Sequence, residues 1–211
     1  MYLCGRDIIL LNMTSPSQKE SDSQLWAHFK DGDKEAFTRL YELYVDVLFS
    51  YGTKISGDKE LVKDCIHEVF LLLHRRRKFL SDVTNIKFYL FKALKHVLLR
   101  RIKRESKFTD ISFIKPSSSE FNLEYSIEDN IILDEQEKIV REYVINLLKN
   151  LNSKQREILY LRFYQGFNYN QISKITGITG SSAKKQVYRI LLKLRKIAGK
   201  DSLYILLLFL K

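Results

Sequence analysis

The sequence predicts an all-α fold: two small helical domains joined by an acidic flexible linker, the C-terminal one a helix-turn-helix. Three observations predict it. Apolar residues recur at helical spacing from about Ser23 onward. Pro116-Ser-Ser-Ser and then seven acids without one basic residue over 120–137 separate two such blocks. Near the end, the helical pattern of 169–175 breaks at Thr176-Gly177 before a second helical run, and glycine supplies the positive φ of a steep corner between helices. The expected segments are a disordered N-terminal stretch (1–21), an N-terminal helical domain (22–106), the acidic linker (107–137), the helix-turn-helix domain (138–199) and an apolar tail (200–211).

Composition narrows the function classes. The 211 residues carry a net charge of +11, so a polyanion or an anionic surface is the default partner. Cys4 and Cys65 form no metal or disulfide pattern, which fits a reducing cytoplasm. The histidines at 28, 67, 74 and 96 have no metal-ligand spacing, and no phosphate loop or nucleophile–base order is legible. The reading is therefore not an enzyme, with no catalytic residue, no metal and no cofactor. The apolar run 8–11 is too short for a signal peptide core, and Met13, before a polar stretch, is an alternative start.

In order, Leu25, Trp26 and Phe29 mark a first helix, and Asp31-Gly32-Asp33 ends it and caps the next. That second helix carries a broad apolar stripe of Ala36, Phe37, Leu40, Tyr41, Leu43, Tyr44, Val47 and Leu48. After Gly57-Asp58 a third helix turns Leu61, Val62, Cys65, Ile66, Val69, Phe70, Leu72 and Leu73 inward. Its other face shows Asp64, His67, Glu68 and Leu71 at i, i+3, i+4 and i+7. A leucine among acids fits a protein groove, and plain solvent is the alternative.

A loop over 80–85 and a long helix over 86–104 follow a basic run. Eleven basic residues and one acid, Asp82, lie between His74 and Arg104, with Phe79, Phe88, Tyr89 and Phe91 interleaved. Charge to follow a backbone and rings to stack on bases are what an unpaired strand requires. Ile86, Tyr89, Leu90, Ala93, Leu94, Val97 and Leu98 form the inner stripe, so Tyr89 reads as packing rather than platform.

Beyond the linker, periodicity resumes near Ile131 and carries Ile139, Val140, Tyr143, Val144, Leu147 and Leu148. In the last helix Ala183, Val187, Ile190, Leu191 and Leu194 form an inner stripe, and Ser181, Lys185, Tyr188, Arg189 and Lys196 lie opposite, with Ser181 or Thr179 as cap. Seven basic residues and no acid stand between Lys184 and Lys200, a helix suited to a phosphate backbone. Leu192 points outward, and the apolar residues 203–210 are too few to span a bilayer. They are expected to fold back over Leu192 or the linker helices, or else to form a partner's docking site.

Four stretches in this order resemble one family: Lys30-Asp-Gly-Asp-Lys-Glu-Ala-Phe37 with Leu40-Tyr41 and Tyr44; Asp64-Cys-Ile-His-Glu-Val-Phe70; Phe88-Tyr-Leu-Phe-Lys-Ala-Leu94; and 151–195 with Tyr169, Ile172 and Gly177-Ile178. The chain is similar, over roughly 22–199, to bacterial sigma-70-family initiation factors of the extracytoplasmic-function (ECF) type. The third stretch resembles a Bacteroidetes-like subgroup.

The resemblance implies a protein that joins core RNA polymerase through its β′ and β subunits and selects promoter DNA, without a small-molecule substrate. It implies a polymerase contact at Asp64, His67, Glu68 and Leu71. The downstream element would be melted and one base held by Phe79, Asn85, Lys87, Phe88, Phe91, Lys95 and His96. The upstream duplex would be read by Ser181, Ser182, Lys184, Lys185, Tyr188 and Arg189. An anti-sigma factor is a further expected partner. The family usually has glutamine at the position of His67, asparagine at that of His96, and a different run at Gly180-Ser-Ser-Ala183. The alternative reading is a helix-turn-helix regulator that never joins polymerase.

Overall fold

Most helices start on a side chain that caps them. The computed structural model describes residues 21–108, 121–122 and 135–209. The N-terminal block holds α1 (Asp22–Asp31), α2 (Lys34–Ser56), α3 (Lys59–Arg76) and α4 (Ile86–Phe108), and the C-terminal block α5 (Glu135–Lys149), α6 (Ser153–Leu159), α7 (Tyr169–Thr176) and α8 (Gly180–Phe209). Asp33 and Asp58 accept backbone N–H bonds at the starts of α2 and α3. Ser21, Asn152 and Asn168 form reciprocal capping boxes with Gln24, Gln155 and Gln171. Each such cap is worth about 1 kcal/mol. Thr179 takes the cap of α8, its Oγ1 accepting from the Ser182 N–H at 3.2 Å.

The expectations for residues 1–20, the start at Met13 among them, and for the acidic stretches 109–120 and 123–134 lie outside the described residues. So do the side chains of Ile139 and Val140.

The N-terminal core is built from Trp26, Phe29, Leu40, Leu48, Val62, Cys65, Ile86, Leu90, Leu94 and Leu98, all essentially inaccessible. One expectation is corrected: Tyr41, Leu43 and Leu72, read as inward, are exposed. Helix α2 ends at Ser56, at the expected break before Gly57. Within it Gly52 permits close approach of α3, since a Cβ there would lie 2.6 Å from Val62 Cγ1.

Helix α6 runs into a π-helical turn, Tyr160–Tyr164, closed by the Gln165 N–H on the Tyr160 carbonyl at 3.0 Å. The extra residue per turn keeps Tyr160 buried and brings Gln165 beneath it, where the amide donates to the Tyr160 hydroxyl at 2.7 Å. Gly177, at φ 72°, makes the corner between α7 and α8. A tail folding back over Leu192 is not seen: α8 continues unbroken to Phe209, and one helix cannot cover its own side. No described helix is long and apolar enough to cross a membrane.

Residues 121–122 join the two blocks. Phe121 is buried against Tyr51 and Tyr160, its N–H meets Ser153 Oγ at 2.5 Å, and its carbonyl accepts from Arg156 Nε at 2.9 Å. The Asn122 N–H donates to the Lys54 carbonyl at 2.7 Å. This part of the expected flexible linker is anchored on both sides.

Candidate nucleic-acid interface

Helix α4 carries most of the residues that the sequence assigns to one strand-binding surface, and the structure divides them between two faces. Lys87, Phe91 and Lys95, at i, i+4 and i+8, turn toward the C-terminal block. Asn85, Phe88, Lys92 and His96 border an open cavity.

The first face is covered. Phe91 is 0% exposed, stacked on Tyr51 with centroids 4.7 Å apart and edge-on to Phe167 at 5.2 Å. It is a core ring, which corrects its assignment as a stacking platform. Lys95 Nζ pairs with Glu157 Oε1 at 2.6 Å, the side chains 14% and 9% exposed, and the Tyr51 hydroxyl donates to the same oxygen at 2.7 Å. Burial, and then the Glu157 carboxylate, holds the Tyr51 phenol well above its ordinary range. Lys87 Nζ donates to the Gln165 carbonyl at 3.3 Å over the Phe167 ring, and its burial lowers its pKa. In this arrangement Lys87 and Lys95 face protein rather than a nucleic-acid strand.

The second face is open. A cavity of about 560 Å³ is bounded by the loop residues Ser81, Asp82, Val83 and Thr84, by Asn85, Phe88, Tyr89, Lys92 and His96, and by Lys174 from α7. Two rings, two lysines and a histidine around a polar loop suit an extruded base with its phosphates. Asn85 Oδ1 accepts from the Phe88 N–H at 2.7 Å, so this carbonyl oxygen caps α4. Tyr89, read as packing, does both: its ring meets Trp26 edge-on at 5.4 Å and also borders the cavity. Lys92 and Lys174 were missed. Lys92 stands seven residues after Asn85 and four before His96, a spacing that would have revealed it. Phe79 stands apart, 89% exposed on the turn after α3.

On α3, Asp64, His67 and Leu71 are exposed as expected, and Leu72 widens their apolar edge. Glu68 is bound within the fold: its carboxylate pairs with Arg100 and, at 3.0 Å, with Arg101 of α4. Behind this face Cys65 is buried, which pushes its thiol up to about 11 and leaves it unreactive at neutral pH.

On α8 the inner stripe is as the periodicity predicts. Ala183, Val187, Ile190 and Leu194 are buried, Leu191 partly so, while Ser181, Lys184, Lys185, Tyr188 and Arg189 are exposed and Ser182 is half-buried. Gly180 is helical, and a Cβ there would meet only the Asn170 side chain, at 2.7 Å. Among the described residues no group of histidines, cysteines and acids could hold a metal ion.

Comparison with known proteins finds two matched regions in the chain. Residues 40–108 match the family described as Sigma-70 region 2, and residues 141–194 the family described as Sigma-70, region 4, together more than half of the chain. The ECF RNA polymerase sigma factor BldN of Streptomyces coelicolor is 25% identical over 181 residues, 81% of this chain and 63% of the relative. The ECF RNA polymerase sigma factor SigL of Mycobacterium tuberculosis is 21% identical over 157 residues, 74% of this chain and 85% of the relative. Among solved structures, CnrH in complex with the cytosolic domain of CnrY superposes with a TM-score of 0.52 at 15% identity, covering 84% of this chain and 97% of that one. The sigma factor RpoE in complex with the anti-sigma factor NepR from Bartonella quintana gives a TM-score of 0.52 at 18% identity, covering 77% and 96%. These structural likenesses bear on the fold.

Proposed function

This chain belongs to the sigma-70 family, and from that membership we propose that it is an ECF-type sigma factor that directs core RNA polymerase to specific promoters. The observation that carries the reading is the joint presence of two nucleic-acid surfaces of different kinds on one chain. One is a recognition helix, free of acids from Gly180 to Lys200, behind a glycine corner and suited to a duplex major groove. The other is a cavity of rings and cations suited to a single extruded base. A regulator that only binds duplex DNA needs the first and has no use for the second.

In this reading α8 approaches the upstream element through Ser181, Ser182, Lys184, Lys185, Tyr188 and Arg189. Asn85, Phe88, Lys92 and His96 receive the melted strand, with Phe79 beside the opening. Lys87 and Lys95 join them when the C-terminal block moves away from α4. Asp64, His67 and Leu71 form the polymerase contact on β′, and Glu68 supports that helix from behind. The polymerase supplies the chemistry and this protein the choice and opening of the promoter. An anti-sigma partner is part of the proposal, supported by the complex of RpoE with the anti-sigma factor NepR. Placement in a Bacteroidetes-like subgroup rests on the stretch 88–94 alone.

The test is capture of core RNA polymerase from the same organism by the purified full chain, followed by run-off transcription on fragmented genomic DNA. Binding with new discrete transcripts is expected. Duplex binding without polymerase capture would favour the free helix-turn-helix regulator.

A further inference from the structure

The loop that borders the cavity, 80–85, is held from a helix more than fifty residues earlier in the chain. Three side chains of α1, Asp22, Trp26 and Lys30, stand at i, i+4 and i+8 and so share one face. Each meets the loop or its exit at a different point. Trp26 Nε1–H donates to the Ser81 carbonyl at 3.1 Å. Lys30 Nζ pairs with Asp82 Oδ1 at 2.6 Å. Asp22 Oδ2 accepts from the Ile86 N–H at 3.4 Å, at the first residue of α4. The contacts are spread along the loop, from its second residue to the helix it enters.

These anchors differ in character. Trp26 is 1% exposed, and its ring also packs edge-on against Tyr89, which borders the same cavity, so one side chain fixes both the loop and a wall. Asp82 is 94% exposed, so its pair with Lys30 adds little to global stability and acts on where the loop sits. The Tyr44 hydroxyl reaches Asp22 Oδ1 at 3.5 Å, tying the third anchor to α2. A loop of Leu, Ser, Asp, Val, Thr and Asn has no internal ladder to fix it, only Leu80 and Val83 packed against the core beside these anchors, and discrimination between bases needs a cavity wall held to a fraction of an ångström.

We propose that α1 is the positioning element of the base-holding loop, with Trp26 and Lys30 as positioning residues that set how sharply the downstream element is read. They touch no base themselves. The proposal rests on the sigma reading above, and its test separates the two.

The full chain is assembled with core polymerase on a promoter identified by run-off transcription, with each of the four bases in turn at each position of the downstream element. Permanganate reactivity of unpaired thymines reports opening. Lys30→Ala and Trp26→Phe are expected to flatten the preference at the captured position by roughly three- to tenfold, the worth of one hydrogen bond, with polymerase affinity unchanged. Asp82→Ala combined with Lys30→Ala should cost no more than either alone, because the two act as one contact. A lower melting temperature for Trp26→Phe would assign its effect to the core, and the Lys30–Asp82 cycle then decides. Wild-type preference in Lys30→Ala, or strict additivity in the cycle, overturns the proposal. A wild-type chain that binds polymerase and opens no promoter overturns the sigma reading instead, and the proposal with it.

Discussion

Lys95 and Glu157, one on α4 and the other on α6, form a 2.6 Å ion pair buried between the two helical blocks. The Tyr51 hydroxyl completes the carboxylate's coordination at 2.7 Å. A cation on the basic helix is thus neutralised by the protein itself, and Lys87 on the same face is turned to the Gln165 carbonyl. Packing of the blocks and use of this face by a nucleic-acid strand exclude one another.

Glu157→Ala is therefore expected to loosen the contact. Removing one partner of a buried pair typically costs about 3–5 kcal/mol when the other charge stays buried. Here the cost is relieved by parting the blocks, which returns Lys95 to water. Small-angle X-ray scattering should show a larger radius of gyration for the variant, and its affinity for a short single strand should rise. An unchanged radius with a lowered melting temperature would show that the blocks stay together.

The face of α3 proposed to meet polymerase requires care in the choice of residue. Asp64 is exposed, so Asp64→Lys should lower affinity for core polymerase at least tenfold while leaving stability within about 0.5 kcal/mol. Glu68→Lys sets a third cation against Arg100 and Arg101, which Glu68 now neutralises. It should lower polymerase affinity and the melting temperature together. Titration against core polymerase beside thermal unfolding distinguishes the two substitutions.

On α8, Lys185→Ala is expected to weaken duplex binding almost equally across sequences and to reduce the slope of log affinity against log salt by about one. Arg189→Ala should do the same if it meets phosphate, and should change sequence preference if it meets a base edge. Fluorescence anisotropy over a salt series reads both.

Much of this was legible in the sequence, and the limits have physical causes. Helix periodicity, Asp33, Asp58 and Gly177 mark their own roles because capping and positive φ are local requirements. Pairing between blocks is not local. Phe91 reads as one ring among cations because nothing in α4 announces that Tyr51 and Phe167 will enclose it. Lys95 and Glu157 lie 62 residues apart, beyond any helical spacing. Phe121 sits in an acidic, serine-containing run whose composition describes its neighbours and not itself. The split of α4 into two faces was accessible from the 87, 91, 95 spacing. The charge count obscured it by treating every cation as solvent-facing.

Close approach of α2 and α3 gives a prediction of stability. A Cβ at residue 52 would lie 2.6 Å from Val62 Cγ1, and Val62 is itself fully buried. Gly52→Ala should destabilise the N-terminal block by about 1–3 kcal/mol, the usual cost of overpacking. Val62→Ala in the same chain should recover part of that loss, although each change alone lowers the urea midpoint.

Alkaline pH should act on the same interface that Lys95 and Glu157 occupy. Burial and the neighbouring Glu157 hold the Tyr51 phenol well above its ordinary value of 10.0, and burial with Asp22 pushes Tyr44 up to about 12. Above pH 10 the unfolded chain releases these protons while the folded chain keeps them. The unfolded state then binds fewer protons, so unfolding free energy falls as pH rises from about 10 toward 12, and below 10 these two groups contribute no slope. Tyr51→Phe should make the alkaline decline shallower. At neutral pH it should cost about 1.5–3 kcal/mol, the range for a hydrogen bond to a charged group. Urea unfolding of both proteins at pH 8, 10 and 11 (experimental settings chosen around the ordinary phenol value) checks the sign, and parallel slopes would mean that the Tyr51 hydroxyl is not held in the buried site described.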